Sequence, residues 1–116
     1  MTLRTPAMEK KYQKAKANND LEQLNEIAPI KQWKFWKLVP NRFPHDRHHT
    51  ENLMVVLKRE CPSFWDIALH EQDELFEKIG PYLDDKYDYI KINLASVRSI
   101  NNVPHIQVYV LKGEYK

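Results

Sequence analysis

The sequence predicts an α+β domain in which an antiparallel sheet of about four to five strands carries one core helix, with an N-terminal helical arm ahead of it. Three observations lead there. Residues His105 to Leu111 alternate in the period-two manner of a strand, as do residues Tyr87 to Leu94. Leu53 to Leu57 is a continuous apolar run of buried-strand length. Leu69, Leu75, Ile79 and Leu83 approximate the apolar stripe of an amphipathic helix, with Glu71, Asp73, Glu74, Glu77 and Lys78 largely outside it.

Taken in order, Pro6 to about Ile30 is rich in helix formers, with Met8, Tyr12 and Ala15 on one spacing and Leu21, Leu24 and Ile27 on another. Two short helices are expected there. Asn19 or Asp20 would cap the second, with Glu22 in its first turn favouring the macrodipole. Residues 1–30 are therefore read as a peripheral arm with a solvated charged face, and residues 31–116 as the domain.

Trp33 to Pro40 mixes aromatic and β-branched residues with Lys34 and Lys37, which suits a strand ended by Pro40. The same interleaving also suits a base-stacking surface for single strands. In a small domain, however, Trp and Phe more often fill the core. Asn41 to Thr50 is polar, carries Pro44 and reads as a loop before the Leu53 strand. The core helix is expected from about His70 to Leu83, with a kink at Pro81 after Gly80. Ala95 to Asn102 is polar and connects the last two strands.

Composition restricts function. With 18 Lys and Arg against 16 Asp and Glu, the net charge of +2 argues against a general nucleic-acid binder. Only Gly80 and Gly113 are present, so neither a Walker loop nor a Gly-x-Gly-x-x-Gly dinucleotide loop can be built, and other donors must hold any phosphate. The single Cys61 reads as a buried, inert thiol. Its lack of a disulfide partner, together with the absence of an apolar stretch long enough for a signal or a membrane span, points to the cytoplasm. His45, His48, His49 and Asp46 have ligand chemistry but not convergent spacing, so no metal site is expected, and no cofactor is implied. His70 reads as a surface or capping residue.

His105 stands apart because it follows Asn101-Asn-Val-Pro104 inside the last strand. The stretch Asn102-Val-Pro-His105-Ile-Gln107-Val-Tyr109-Val-Leu111 resembles the motif of the histidine-triad superfamily, in which three His alternate with apolar residues along one strand. Three other pieces occur in the right order. Asn41-Arg-Phe-Pro-His-Asp46 is similar to an Asn-x-Phe-Pro-Tyr-Asp loop of histidine-triad-like proteins, Leu53 to Arg59 resembles the family's Leu-Val-Ile-Pro-Lys strand, and Tyr87 to Asn93 resembles the strand that ends in Asn ahead of the triad. The resemblance covers about Trp33 to Lys112.

The resemblance implies an antiparallel fold and a site for a nucleotide or another phosphorylated small molecule. In the family the middle His attacks the α-phosphorus and forms a nucleotidyl-imidazole. Two registers compete. In the first, preferred because its lead-in and apolar positions match without a gap, His105 is the first triad member, Gln107 stands for the nucleophile and Tyr109 for the last His. A carboxamide cannot form the intermediate, so such a chain would bind without cleaving. In the second, His105 is the nucleophile and Gln107 donates to a phosphate oxygen, as in the His-x-His-x-Gln motifs of galactose-1-phosphate uridylyltransferases and dinucleoside-tetraphosphate phosphorylases; the chain would then be a nucleotide hydrolase or nucleotidyltransferase.

Both registers place Val103, His105, Gln107 and Tyr109 on one face. Asn93, Ser99 and Tyr109 are the expected phosphate or ribose contacts. An exposed edge strand near Tyr109 would suit a homodimer such as many family members form. The alternative from another class is a non-catalytic interaction or nucleic-acid-binding domain that keeps the fold and uses Lys34, Lys37 and the aromatic strand.

Overall fold

The computed structural model describes residues 3–18, 27–94 and 103–116. Helix α1 (Pro6–Ala17) starts where Thr5 caps it, its side chain accepting from the Met8 N–H, and where Pro6 needs no hydrogen-bond acceptor. The second expected arm helix, with Asn19, Asp20 and Glu22, lies outside the described residues, as does the connection that contains Ser99.

Five strands follow: β1 (Lys31–Gln32), β2 (Trp36–Pro40), β3 (His49–Leu57), β4 (Tyr89–Lys91) and β5 (His105–Leu111). They form one antiparallel sheet in the order β1-β2-β3-β5-β4. The fold class is thus α+β, as the alternation and the apolar run predict. Three elements differ in extent, the first being the strand expected over Tyr87 to Leu94, which is confined to Tyr89–Lys91. The expected strand from Trp33 begins only at Trp36, because the Trp33 N–H donates to Trp36 O at 2.9 Å and closes a turn back to β1. Strand β3 starts four residues before Leu53, at His49, within what reads as loop.

Between β3 and β4 lie α2 (Leu69–Glu74), a π-helical turn (Leu75–Ile79) and α3 (Gly80–Lys86). The kink expected at Pro81 takes the form of this widened turn. Pro81 has no N–H to give to the preceding turn, and the Gly80 N–H donates five residues back to Leu75 O. A Cβ at position 80 would lie 3.1 Å from that oxygen, which is why a glycine suits the position.

Period two divides the sheet into two faces. Trp36, Leu38, Val55, Leu57, Ile106 and Val108 meet Ile79, Leu83, Cys61 and Ile67 and form the main core. Cys61 is buried there, its thiol donating to Ser63 O. The other face holds a smaller cluster of Val39, Met54, Val56 and Val103 against Ile27. Buried carboxylates tie the helix to the sheet. Glu74 accepts from the backbone N–H groups of Lys34 (3.1 Å), Phe35 (2.8 Å) and Trp36 (3.2 Å). Glu71 accepts from the Ala68 N–H at 2.7 Å and from both arms of Arg59 at 2.8 Å, and these partners outweigh burial and hold its carboxyl below the ordinary range.

The start of the arm is tied to the loop between β2 and β3. Thr5 donates twice to Asp46, Arg47 N–H donates to Leu3 O, Tyr12 packs edge-on against Phe43, and Ala15 is buried. Its apolar spacing is too sparse to announce this, because the attachment is carried mainly by polar groups at its first residues.

Candidate functional site

The second face changes character along β5. Its cross-strand pairs run Val56 with His105, Met54 with Gln107 and Asn52 with Tyr109, and on the far side Lys91 with Gln107 and Tyr89 with Tyr109. His105, Gln107 and Tyr109 therefore line one face together with Val103, with Lys91 and Tyr89 beside them. All three are buried, at 8%, 6% and 0% exposure.

Their partners differ. The His105 Nδ1 lies 3.0 Å from Val103 O. A carbonyl only accepts, so Nδ1 carries a proton and donates it to Val103 O. Tyr109 OH is 2.7 Å from His45 Nδ1, and the Tyr109 ring stacks on Tyr89 (4.7 Å) and His49 (4.2 Å). His49 Nδ1 donates to His45 O at 2.6 Å, so its Nε2 accepts from Tyr89 OH.

The orientation of Gln107 follows from a chain of bonds that starts at a backbone group. The His45 N–H can only donate, and it does so to Asn52 Oδ1 at 2.9 Å. Asn52 Nδ2 is then the end that meets Gln107, and it donates to Oε1 at 2.8 Å. The Gln107 Nε2 group, with two N–H donors, is left over. It makes no hydrogen bond among the described residues, although its side chain is almost fully buried.

Lys91, the cross-strand neighbour of Gln107, is similar. Among the described residues its ammonium makes no hydrogen bond or ion pair, and lies 5.5 Å from the centre of the Tyr109 ring. Burial, and then the Arg4 charge, push it below the ordinary lysine value. Burial also takes the His45 imidazole down to about 4, with Arg4, Lys91 and His49 adding to the effect. The Tyr109 phenol is pushed up by burial and by Tyr89. The face thus offers the Gln107 donors and the Lys91 cation beside a His45 imidazole that is neutral at pH 7, an arrangement that can accept an anion.

Of the residues singled out in the sequence, His105, Gln107 and Tyr109 come together. Asn93 is half-buried beyond the end of β4 and makes no hydrogen bond among the described residues. His45 and His49 join the face, while His48 packs on Tyr115 and Asp46 turns to Thr5. Among the described residues no group of three or more His, Cys, Asp or Glu is placed to hold a metal ion. His70 packs its ring on Phe35. Trp36 is fully buried and Lys37 donates to Ile27 O at 3.0 Å from the other face, so Lys34, Lys37 and the aromatic strand do not share one exposed surface. Lys91, Tyr89 and Asn52 were not legible as site residues; only the cross-strand register from Tyr87 to Leu94 could have found the first two.

A separate groove of about 390 Å³ lies on the helical side, lined by Phe64, Trp65, Leu75, Phe76, Ile90 and Ile92 among others. Among the described residues Gln72 is the one polar side chain in its lining and no Lys or Arg lines it, so they supply no cation for a phosphate there. No helix among the described residues is long and apolar enough to cross a membrane. Compared with known proteins, the chain matches no family model, no curated protein and no solved structure.

Proposed function

We propose that this chain is a histidine-triad-like domain that binds a nucleotide or another phosphorylated small molecule on the second face of its sheet, and that it does so without forming a nucleotidyl intermediate. One observation carries the reading: among the described residues the two donors of Gln107 make no hydrogen bond and the ammonium of Lys91, its cross-strand neighbour, makes no hydrogen bond or ion pair and has only the Tyr109 ring beside it. A buried amide left without an acceptor costs about 1–3 kcal/mol, and a phosphate oxygen would remove that cost. The resemblance of Asn102 to Leu111 to the triad strand supplies the ligand class, and Gln107 in the middle position supplies the lack of covalent chemistry.

Two measurements on the full chain test the reading. A nucleoside 5′-monophosphate should raise the apparent thermal stability by mass action. Incubation with a nucleoside 5′-phosphoramidate or a dinucleoside polyphosphate, quenched without acid, should show no nucleotidyl adduct by mass spectrometry. An adduct mapped to His105 would make the chain an enzyme through its Nε2, and loss of that adduct in His105→Ala would confirm the assignment. No stabilisation by any of these compounds would remove the proposed ligand class.

A further inference from the structure

The apolar groove on the helical side stays open among the described residues. Trp65, Phe76 and Ile90 line it, yet they are 73%, 82% and 50% exposed. Leu69, also exposed, stands about two helical turns before Phe76 on the same side of the helix. An aromatic side chain alone presents roughly 150–250 Å², so together these residues expose an apolar patch on the order of a few hundred Å², the size range of interaction sites. The wall on the sheet side is carried by β4, the last strand of the sheet, which pairs with β5 alone.

The charge beside this groove has one sign. Asp73, Glu77 and Asp84 are exposed, and each directly follows a lining residue of the helical stretch, namely Gln72, Phe76 and Leu83. One helical step of about 100° therefore carries all three to the same flank of the lining. None of them makes an ion pair or a hydrogen bond among the described residues. Lys78, the one Lys or Arg between Leu69 and Asp85, stands about half a turn from Phe76, on the far side of the helix. The chain as a whole carries +2, so this flank runs against its net charge. A second copy of the chain laid on the groove by the same surface would set these carboxylates against one another, at a cost in repulsion. Lys or Arg beside large apolar side chains meets both the flank and the groove.

We propose that the groove is a docking site for a basic amphipathic segment of another protein, with its large apolar side chains seated among Trp65, Phe76 and Ile90 and its Lys or Arg residues on Asp73, Glu77 and Asp84. The site is separate from the sheet face proposed for phosphate and does not depend on it. Apolar anchors supply most of the affinity of such a contact, and the charged rim selects the sign of the partner.

The test is fluorescence anisotropy on the full chain with a fluorescein-labelled amphipathic peptide of Leu and Lys, and with a Leu and Glu peptide of the same pattern. The Leu/Lys peptide should bind at least about tenfold more tightly than its Leu/Glu counterpart. F76S should weaken it about tenfold or more through loss of an anchor, and the triple variant D73N/E77N/D84N about tenfold through loss of the flank. Added salt should weaken the wild type and leave the triple variant nearly unchanged. All four substituted side chains are exposed, and circular dichroism checks that the variants fold. Equal binding of the two peptides, wild-type affinity in F76S or in the triple variant, or no binding of the Leu/Lys peptide overturns the proposal. Sedimentation that shows a dimer of the chain, dispersed by F76S, overturns it as well and gives the groove to a second copy.

Discussion

Asn52 donates to Gln107 at 2.8 Å, and because its own oxygen is already taken by the His45 N–H, this bond decides which end of the Gln107 carboxamide remains for a ligand. Asn52→Asp reverses that decision. An aspartate keeps the acceptor for His45 but offers Gln107 a second acceptor, so the carboxamide must turn its N–H group inward and present an oxygen. We expect phosphomonoester affinity to fall at least about tenfold while stability changes by no more than about 1–2 kcal/mol. Calorimetry alongside urea unfolding separates the two, and an N52D variant that binds as the wild type does would show that Gln107 is not a donor to the ligand.

His45 makes stability depend on pH. Its imidazole is held down to about 4 in the folded chain, chiefly by burial, against about 6.5 when unfolded. Across that window the unfolded state binds the extra proton, so the contribution is complete above about 6.5 and is lost as pH falls toward 4. The loss amounts to about 3 kcal/mol at 1.36 kcal/mol per pH unit. Urea unfolding at pH 7 and pH 4.5 should show a smaller acid loss in His45→Gln than in the wild type; equal losses would contradict a depressed His45.

Glu74 acts as a clip on the turn before β2. Glu74→Ala leaves the N–H groups of Lys34, Phe35 and Trp36 without their acceptor, the last of them buried. A loss of about 3 kcal/mol is expected, with water offsetting part of the cost at the more exposed N–H groups. Chemical denaturation that gives less than about 1 kcal/mol would show that the turn does not depend on this carboxylate.

Arg59 and Glu71 add an acid-sensitive pair. The Glu71 carboxyl is held low by Arg59, so its contribution is present above the ordinary glutamate range and disappears as pH falls through the folded value. Arg59→Ala should therefore destabilise the fold at pH 7, and by less as pH falls through the folded Glu71 value. A cost that does not change with pH would assign the effect to lost packing of the Arg59 stem.

These residues also explain how far the sequence can be read. Val55, Ile106 and Val108 face the core on a regular period, and the sheet is legible from them. His49 and Asn52 belong equally to β3, but they look like loop residues because their burial is made possible by hydrogen bonds to His45 in the preceding loop and to Tyr89 and Gln107, 40 and 55 residues away. Arg4 is less legible still: its place depends on Asp46 and Phe43, about forty residues away, and nothing in the local pattern of α1 announces that contact.

The most direct test of the central claim is to observe the Gln107 side-chain amide by nitrogen-15 NMR during addition of a nucleoside 5′-monophosphate. The account predicts that the Gln107 Nε2 resonances and the Lys91 ammonium shift together and saturate with one ligand, while the residues lining the apolar groove, such as Phe76 and Ile92, stay in place. Saturable shifts confined to that groove, or no shift at Gln107 while the nucleotide binds elsewhere, would contradict it.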